Sequence, residues 1–175
     1  METLYFKKIT ELKREKMLLE KALGVNITLV GKKASILGEP LAEYESLIVL
    51  EAMQFGFSAK KSLSLLDDNF IFRKIPIKRF TRRKNLKEVR ARIIGKEGKT
   101  KHTIEQISNC DIVINEYENE IGLIGQADEI EEATTALTNL IRGTKQANVY
   151  RFLEKINAKK KGFSTDLGLK IKIKK

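Results

Sequence analysis

Hydrophobic residues recur at two spacings along the second half of the chain, and each change of spacing marks a new element. Alternating apolar residues predict β-strands, and apolar residues three or four positions apart predict helices. Pro76 limits a strand predicted at 70–75, and Gly143, as a left-handed cap, ends a long helix that follows the later strands. We expect that helix to begin at Asp128, with Glu131 as its capping-box partner. The predicted elements are a strand at 70–75, two short helices on either side of 95–98, strands at 111–115 and 120–124 joined by the turn 116–119, a helix from 128 and a final helix around 147–156.

The same order of elements occurs in the first half of the chain, so the sequence is a tandem repeat. Adding 85 to a residue number carries Leu19 to Ile104, and adding 87 carries Gly56 to Gly143. Pro40 opens the long helix of the first copy, and Gly56 closes it. The sequence therefore predicts an α+β protein of two similar units, at 1–68 and 69–157, followed by a basic tail at 158–175.

A pair of glycines lies between the two short helices of the second copy. Gly95 and Gly98 let the backbone turn tightly and approach a ligand without a side chain in the way, and the amides that open the next helix favour an anion. Lys96, Lys99 and Lys101 add positive charge beside them. We interpret residues 95–98, called the clamp below, as a phosphate-binding loop.

The first copy has no such loop. Residues 10–13, found by subtracting 85 from 95–98, read Thr-Glu-Leu-Lys. A loop without glycine cannot approach a phosphate in the same way, and Glu11 would repel one. We expect the first unit to contact a protein partner or to have a packing role.

A nucleotide-binding P-loop is the main alternative, because Gly98-Lys99-Thr100 ends as that motif ends. The spacing rejects it. A P-loop needs a glycine where this chain has Ile93, and it needs a strand leading in. Here Leu86, Val89 and Ile93 enter the loop at helical spacing.

Charge supports a polyanionic partner. The formal net charge is +11 and the pI is about 9.7, which fits nucleic acid or an acidic membrane surface. Residues 71–101 contain thirteen lysines and arginines but only two glutamates, Glu88 and Glu97. This concentration beside the clamp favours a surface that follows phosphates.

The remaining chemistry is sparse. One cysteine, Cys110, excludes a disulfide framework and a cysteine-cluster zinc site, and the single histidine, His102, is expected to be exposed on the helix after the clamp. Charges interrupt every apolar run before it could span a bilayer, so we expect a cytoplasmic protein without membrane contact. The alternating carboxylates at 116–120 could hold a metal in an enzyme, but a solvated turn is the simpler interpretation. We expect no catalytic residue, metal or cofactor.

The sequence Ile93-Ile-Gly-Lys-Glu-Gly98 resembles the I-I-G-x-x-G core of the KH domain, an RNA-binding module whose loop clamps about four nucleotides. The helix after it, the polar stop at Asn109 and the strand at 111–115 follow in the order that the module requires. Together with the degenerate first copy and Val149-Tyr-Arg-Phe-Leu-Glu154, this pattern is similar to the two-KH-domain small-subunit ribosome assembly factors. That family is known in eukaryotes as the partner of the Nob-one endonuclease and has a short archaeal form.

The resemblance covers residues 1–157. It implies two tandem type I KH domains, each a three-stranded sheet packed against three helices, with the first one degenerate. It also implies binding of single-stranded RNA near the 3′ end of small-subunit ribosomal RNA, and contact with the Nob-one nuclease and the alpha subunit of translation initiation factor two. Archaeal relatives often keep a glycine-bearing loop in the first unit, which this chain lacks.

We expect RNA to lie between the clamp and the strand at 111–115. Glycine amides and lysines would hold phosphates, four isoleucines (Ile94, Ile104, Ile112 and Ile114) would form an apolar floor, and the strand's backbone edge would read bases. Several of these isoleucines are expected to belong to the core instead, and that alternative is strongest for Ile104. The predicted RNA-binding residues are Arg90, Arg92, Ile94, Gly95, Lys96, Glu97, Gly98, Lys99, Thr100, Lys101, Ile112, Val113 and Ile114. A KH-type protein adaptor, docking a partner through its first unit, is the alternative function. The tail could add a strand or fold on RNA, but disorder is the expected state.

Overall fold

The computed structural model describes residues 2–168, with side chains from Thr3 to Lys160. The first unit contains β1 (Glu2–Tyr5), α1 (Thr10–Leu23), β2 (Asn26–Val30), β3 (Lys33–Leu37), α2 (Pro40–Phe55), α3 (Ala59–Ser62) and a 3-10 turn at Leu63–Leu66. The second unit contains β4 (Phe70–Pro76), α4 (Ile77–Phe80), α5 (Leu86–Ile94), a 3-10 turn at Lys96–Gly98, α6 (Lys99–Ser108), β5 (Asp111–Asn115), β6 (Glu120–Gln126), α7 (Ala127–Arg142) and α8 (Gln146–Gly168).

Each unit has a three-stranded antiparallel sheet whose central strand is the last of the three in sequence. The strand orders are β1-β3-β2 and β4-β6-β5. The predicted hairpin forms in register, with Val113 opposite Gly122 and Asn115 opposite Glu120. Because β6 lies in the middle, β5 is an edge strand with one unpaired side. The two sheets and their helices confirm the expected α+β architecture.

The cores of the two units repeat the predicted offsets. Leu19 and Ile104, which are 85 residues apart, are both 0% exposed, and Ile27 and Ile112 are 1% and 0% exposed. Each unit therefore buries equivalent positions between its helices and one face of its sheet, as expected for two copies of one pattern.

One expectation for the first copy is wrong. Two short helices were predicted in each copy, but the first unit has the single helix α1 between its first two strands. The chain passes directly from β1, which ends at Tyr5, to α1 at Thr10, whereas α4, α5 and the clamp lie between β4 and α6. The first unit lacks the helix that would enter a clamp, and residues 10–13 are the first turn of α1.

The cap of the long helix also differs from the prediction. Helix α7 begins at Ala127, and its capping box joins Gln126 and Glu129 instead of Asp128 and Glu131. The Gln126 backbone N–H donates to Glu129 Oε2 at 3.3 Å. Both pairs have a polar residue followed three positions later by glutamate, so the sequence motif alone could not separate them. The predicted stop at Gly143 is confirmed, with φ 116°.

The last helix is longer than expected. Helix α8 continues past residue 157 to Gly168, so the expectation of disorder from 158 is wrong for 158–168, and 169–175 lie outside the described residues. Asn157 Nδ2 donates to the Ile107 carbonyl, and Lys160 Nζ lies 2.7 Å from Asp128 Oδ2 and 2.9 Å from Glu132 Oε1. The hydrogen bond from Lys160 lowers the pKa of the Asp128 carboxyl. These contacts hold α8 against α6 and α7.

The two units share an aromatic interface that the sequence analysis did not predict. The end of α2 and the residues after it lie on the outer face of the second sheet, opposite the helices. Phe57 is 1% exposed, and its ring lies 5.7 Å from Phe72 and 6.2 Å from Phe55 between centroids. Gly122 provides the room, because a Cβ there would lie 2.6 Å from Phe55 Cε1 and 2.8 Å from Phe57 Cε2.

Polar contacts border this interface. Asn115 Nδ2 donates to the Phe55 carbonyl at 3.4 Å, and Lys61 pairs with Asp111. The second sheet is thus covered on both faces, by its own helices and by the first unit. This arrangement joins the units through a buried apolar contact as well as through the chain.

Cys110 is buried immediately before β5. It is 1% exposed, and burial raises the pKa of its thiol to about 12. A Cβ at Gly125 would lie 2.7 Å from the Cys110 sulfur, so the neighbouring strand makes room for this side chain. The thiol is neutral at physiological pH and has a packing role.

Candidate nucleic-acid interface

The clamp is a tight turn between the end of α5 and the start of α6. Gly95 has φ 75° and Gly98 has φ 75°, a region that favours glycine. The Gly95 N–H donates to the Ala91 carbonyl at 2.8 Å, which closes α5, and the Gly98 N–H donates to the Gly95 carbonyl at 3.3 Å. Helix α6 then begins with no side-chain cap at Gly98, so the amides of its first turn point toward the clamp.

The two glycines are needed for different reasons. At Gly95, a Cβ would lie 2.7 Å from Thr100 Cβ and 2.8 Å from the Thr100 backbone nitrogen. At Gly98, nothing lies within 4 Å of the position that a Cβ would take. Gly95 therefore meets a conformational and a steric requirement, whereas Gly98 meets only the conformational one.

We expect Gly95→Ala to be more damaging than Gly98→Ala. Gly98 has the left-handed conformation (ψ 5°), which costs a non-glycine residue about 1–2 kcal/mol. Gly95 has ψ 175°, a region that is essentially restricted to glycine, and only Gly95→Ala adds a clash with the backbone of α6. Urea unfolding and RNA titration of both variants check this order, with both losses larger for Gly95→Ala. Equal losses, or a larger loss for Gly98→Ala, would contradict the packing described here.

Gln146, at the start of α8, holds the two sides of the clamp together. Its Nε2 donates to Thr100 Oγ1 at 2.9 Å and to the Arg92 carbonyl at 3.3 Å. Arg92 lies in the last turn of α5, and Thr100 is in the first turn of α6. Sequence reasoning missed this residue, because it is 46 positions from Thr100 and a polar residue near a helix start is common.

Thr100 is therefore part of the support of the clamp. It is 3% exposed, it packs against Gly95, and its hydroxyl accepts the hydrogen bond from Gln146. The predicted direct contact of its side chain with RNA does not fit this position. Its backbone amide lies in the first turn of α6, where it can still face an anion.

We expect Gln146→Ala to weaken RNA binding about five- to tenfold, because the amide fixes the spacing of α5 and α6 and the Thr100 hydroxyl would lose its donor. No positive charge is removed, so the salt dependence of binding should keep its slope. Fluorescence anisotropy over a salt series measures both quantities. Gln106→Ala, an exposed change on α6, is the matched control, and an unchanged affinity for Gln146→Ala would contradict the positioning role.

The lysines of the clamp differ in their surroundings. Lys96 is exposed, and no ion pair to it is found among residues 3–160. Lys99 is also exposed, 3.9 Å from the Glu97 carboxylate, whereas Lys101 pairs with Glu105 at 3.1 Å and its side chain is 31% exposed. Lys96 and Lys99 are thus the side chains best placed to reach a phosphate.

Arg90 and Arg92 are held by contacts within the protein. The Arg90 guanidinium donates to Asn119 Oδ1 in the turn between β5 and β6, so it connects α5 to the hairpin. An Arg92 guanidinium nitrogen lies 3.5 Å from the position that a Cβ would take at Gly143, just after α7. Both side chains are half-buried and contribute fixed positive charge along α5.

The proposed apolar floor is smaller than predicted. Ile104 and Ile112 are fully buried in the core, so the expectation that they face RNA is wrong for their side chains. Val113 lies on the other face of the sheet, where its Cγ1 would be 3.2 Å from a Cβ at Gly56 of the first unit. Ile94 and Ile114 are half-buried and are the two apolar side chains that remain accessible.

The unpaired edge of β5 offers backbone groups. The Ile112 N–H points away from β6 and donates to Glu105 Oε1 at 2.9 Å. By the alternation of an antiparallel ladder, the N–H and C=O of Ile114 point to the same edge. Ile114 therefore presents a backbone donor and acceptor beside the groove. The Ile112 N–H is already hydrogen-bonded to the Glu105 carboxylate.

The hairpin turn limits the interface on one side. Glu116 and Glu118 are exposed, and the nearest cation to Glu118 is Lys7 of the first unit, at 3.8 Å. Phosphate is disfavoured on this flank.

His102 is exposed as predicted, and within the described part of the chain no group of three or more histidine, cysteine or acidic residues is placed to hold a metal ion. No described helix combines the length and apolar character needed to cross a membrane.

Comparison with known families identifies one match. Residues 71–158 match the second KH domain of the PNO1 type, a eukaryotic type KH domain (KH-domain type I). The matched segment runs from β4 into α8 and includes the whole clamp.

Similar proteins extend the comparison to the first unit. A KH domain-containing protein of Methanocaldococcus jannaschii is 29% identical over 147 residues, which is 80% of this chain and 64% of the relative. The pre-rRNA-processing protein pno1 of Emericella nidulans is 32% identical over 116 residues, 64% of this chain and 44% of the relative. The chain thus spans less than two thirds of the length of these curated relatives.

The match to a solved structure covers a larger share of this chain than the matches to the curated relatives. The crystal structure of an a/eIF2alpha-aDim2p-rRNA complex from Pyrococcus horikoshii OT3 contains a chain with a TM-score of 0.79 and 27% identity. The match covers 90% of this chain and 94% of that one. Both units therefore have counterparts in a single known structure.

Proposed function

This chain belongs to the family of PNO1-type KH domains, and on that premise we propose that it binds single-stranded ribosomal RNA through the clamp of its second unit. The observation that carries the proposal is the turn at Gly95 and Gly98, which opens α6 beside the exposed Lys96 and Lys99. The first-turn amides of α6 and two exposed cations therefore lie close together in the chain, which is the chemistry that a phosphate requires.

In this proposal the clamp positions the RNA, and the groove beside it provides sequence preference. Phosphates lie against the first-turn amides of α6, with Lys96 and Lys99 around them. Bases turn toward Ile94 and Ile114, and their edges meet the backbone groups of Ile114. The fixed charge of Arg90 continues the phosphate path along α5.

The RNA that we propose is the 3′ end region of small-subunit ribosomal RNA, bound during biogenesis of the subunit. Two comparisons support ribosomal RNA as the ligand: relatives are named for pre-rRNA processing, and the similar solved chain was crystallised with rRNA. The 3′ end region is proposed from the family resemblance. The proposed activity is binding, and it includes no catalytic step.

Binding of a short single-stranded RNA with the 3′ end sequence of small-subunit rRNA tests the proposal. The comparison RNA has the same composition in scrambled order, and a DNA of the same sequence tests the need for 2′-hydroxyls. We expect the matched RNA to bind most tightly at a fixed salt concentration. Equal affinity for all three would leave only charge attraction and contradict the proposed specificity.

We also propose the alpha subunit of translation initiation factor two as a protein partner, because the similar solved complex contains it. Contact with a Nob-one-type endonuclease is proposed from the family resemblance alone, and a cytoplasmic location is proposed from the sequence pattern. A protein adaptor that docks partners through the first unit is the second candidate function. Capture of the purified alpha subunit with and without RNA separates the two, since an adaptor would bind it equally well without RNA.

A further inference from the structure

A group of six cationic side chains is exposed where α4 ends and α5 begins. We call it the α4–α5 basic surface, and it consists of Lys78, Arg79, Arg82, Arg83, Lys84 and Lys87. The nearest carboxylate in sequence, Glu88, accepts a hydrogen bond from Asn85 Nδ2 at 2.8 Å. No ion pair to any of the six is found among residues 3–160, so their charge is not neutralised within the described structure.

Helix α5 connects this surface to the clamp. Lys87, Arg90 and Ile94 follow one another at helical spacing and share one face, whereas Val89 and Ile93 are buried on the other. The nine residues of α5 span about 13 Å. A strand of RNA leaving the clamp along this face would meet Arg90 and then the basic surface.

The charge distribution directs RNA to this side. Across the groove, the turn of the hairpin exposes Glu116 and Glu118, which repel phosphate. Six neighbouring cations without partners also repel one another, and a polyanion relieves that repulsion while releasing its counterions.

The surface has the character of a nucleic-acid contact and not of a protein contact. Protein interfaces centre on buried apolar or aromatic anchors, yet none of the exposed large hydrophobic side chains lies between residues 77 and 88. The one aromatic residue there, Phe80, is half-buried, with the Arg142 guanidinium 5.9 Å from its ring centre. A surface that is positively charged and has no exposed apolar centre is suited to binding the phosphates of a nucleic acid.

We propose that the α4–α5 basic surface is a second phosphate-binding surface, which holds the RNA that adjoins the segment in the clamp. This inference rests on the proposed RNA binding and extends it from a loop that grips about four nucleotides to a longer track. Phosphates of single-stranded or duplex RNA share the required chemistry.

The triple change Arg82→Ser, Arg83→Ser and Lys84→Ser tests the proposal. Three RNAs are compared: a hexamer that fills only the clamp, the same hexamer with single-stranded flanks, and the hexamer with a duplex flank. We expect the hexamer to bind within twofold of wild type and the flanked RNAs to bind roughly ten- to a hundredfold more weakly. The slope of log affinity against log salt should fall by about 2 for the single-stranded flank and by about 3 for the duplex flank, because three phosphate contacts are lost.

The matched control, Lys21→Ser, Lys32→Ser and Lys33→Ser, removes the same charge from exposed positions of the first unit. It should weaken the flanked RNAs by much less, and the flank with the larger loss identifies the RNA form that the surface holds. Equal losses for the control and the test variant, or equal losses for the hexamer and the flanked RNAs, would overturn the proposal. Failure of the wild-type chain to bind any of these RNAs would instead overturn the proposed function itself. Thermal unfolding of both variants should match wild type.

Discussion

The double change Lys96→Asp and Glu97→Asp is expected to lower RNA affinity by at least a hundredfold and to leave the fold intact. Both side chains are exposed, so no core contact is lost. Glu97 has φ 54°, a conformation that aspartate adopts more readily than glutamate. A new carboxylate near a phosphate costs about 1 kcal/mol in water and about 4 kcal/mol at the lower dielectric of a protein surface, and the attraction of Lys96 is lost as well.

Anisotropy of a labelled RNA at about 0.1 M salt, where charges beyond about 10 Å are screened, measures this effect, and circular dichroism checks the fold. Lys32→Asp, in an exposed turn of the first unit, makes the same change in net charge and should weaken binding only slightly. If the double variant keeps its affinity, the clamp is not the phosphate site. The α4–α5 basic surface, the C-terminal segment or a protein partner would then be the principal contact.

The second large effect is expected at the interface between the units. Phe57→Ala should lower the free energy of unfolding by about 3–5 kcal/mol, the usual cost of removing a buried aromatic ring. Phe57 is 1% exposed and contacts the rings of Phe55 and Phe72, and Gly122 leaves no side chain that could fill the cavity.

Urea unfolding followed by two probes checks this prediction, because loss of the interface should also separate the transitions of the two units. Tyr44→Ala is the control, since that side chain is 63% exposed and its loss should cost less than about 0.5 kcal/mol. A change below 1 kcal/mol for Phe57→Ala would mean that the units are stabilised independently.

Local sequence patterns were sufficient to predict most of the helices and strands of the second unit. The alternation of apolar and polar residues predicted the register of the hairpin formed by 111–115 and its partner strand, because a shift of one residue would turn Ile112 and Ile114 to the wrong face. Glycines with positive φ marked the ends of helices, as at Gly143 and in the clamp. These features depend on residues close in sequence, which is the information that a single chain provides.

Contacts between distant residues could not be predicted in the same way. Gln146 supports Thr100 through one hydrogen bond, and nothing in its local sequence indicates that partner. The sequence does contain a sign of the interface: β4 begins Phe70-Ile-Phe72, which is apolar on both faces of the strand, as expected when both sides of a sheet are covered. The burial of Ile104 and the interface position of Val113 follow from the same tertiary packing.

The first unit differs from the second by a missing segment as well as by missing glycines. Its chain runs from β1 at Tyr5 to α1 at Thr10 with no counterpart of α5. Grafting Gly-Lys-Glu-Gly into residues 10–13 would therefore only loosen the first turn of α1, because a clamp needs two helix ends that face each other. An engineered chain with two working loops would have to receive the helix and the loop as one cassette.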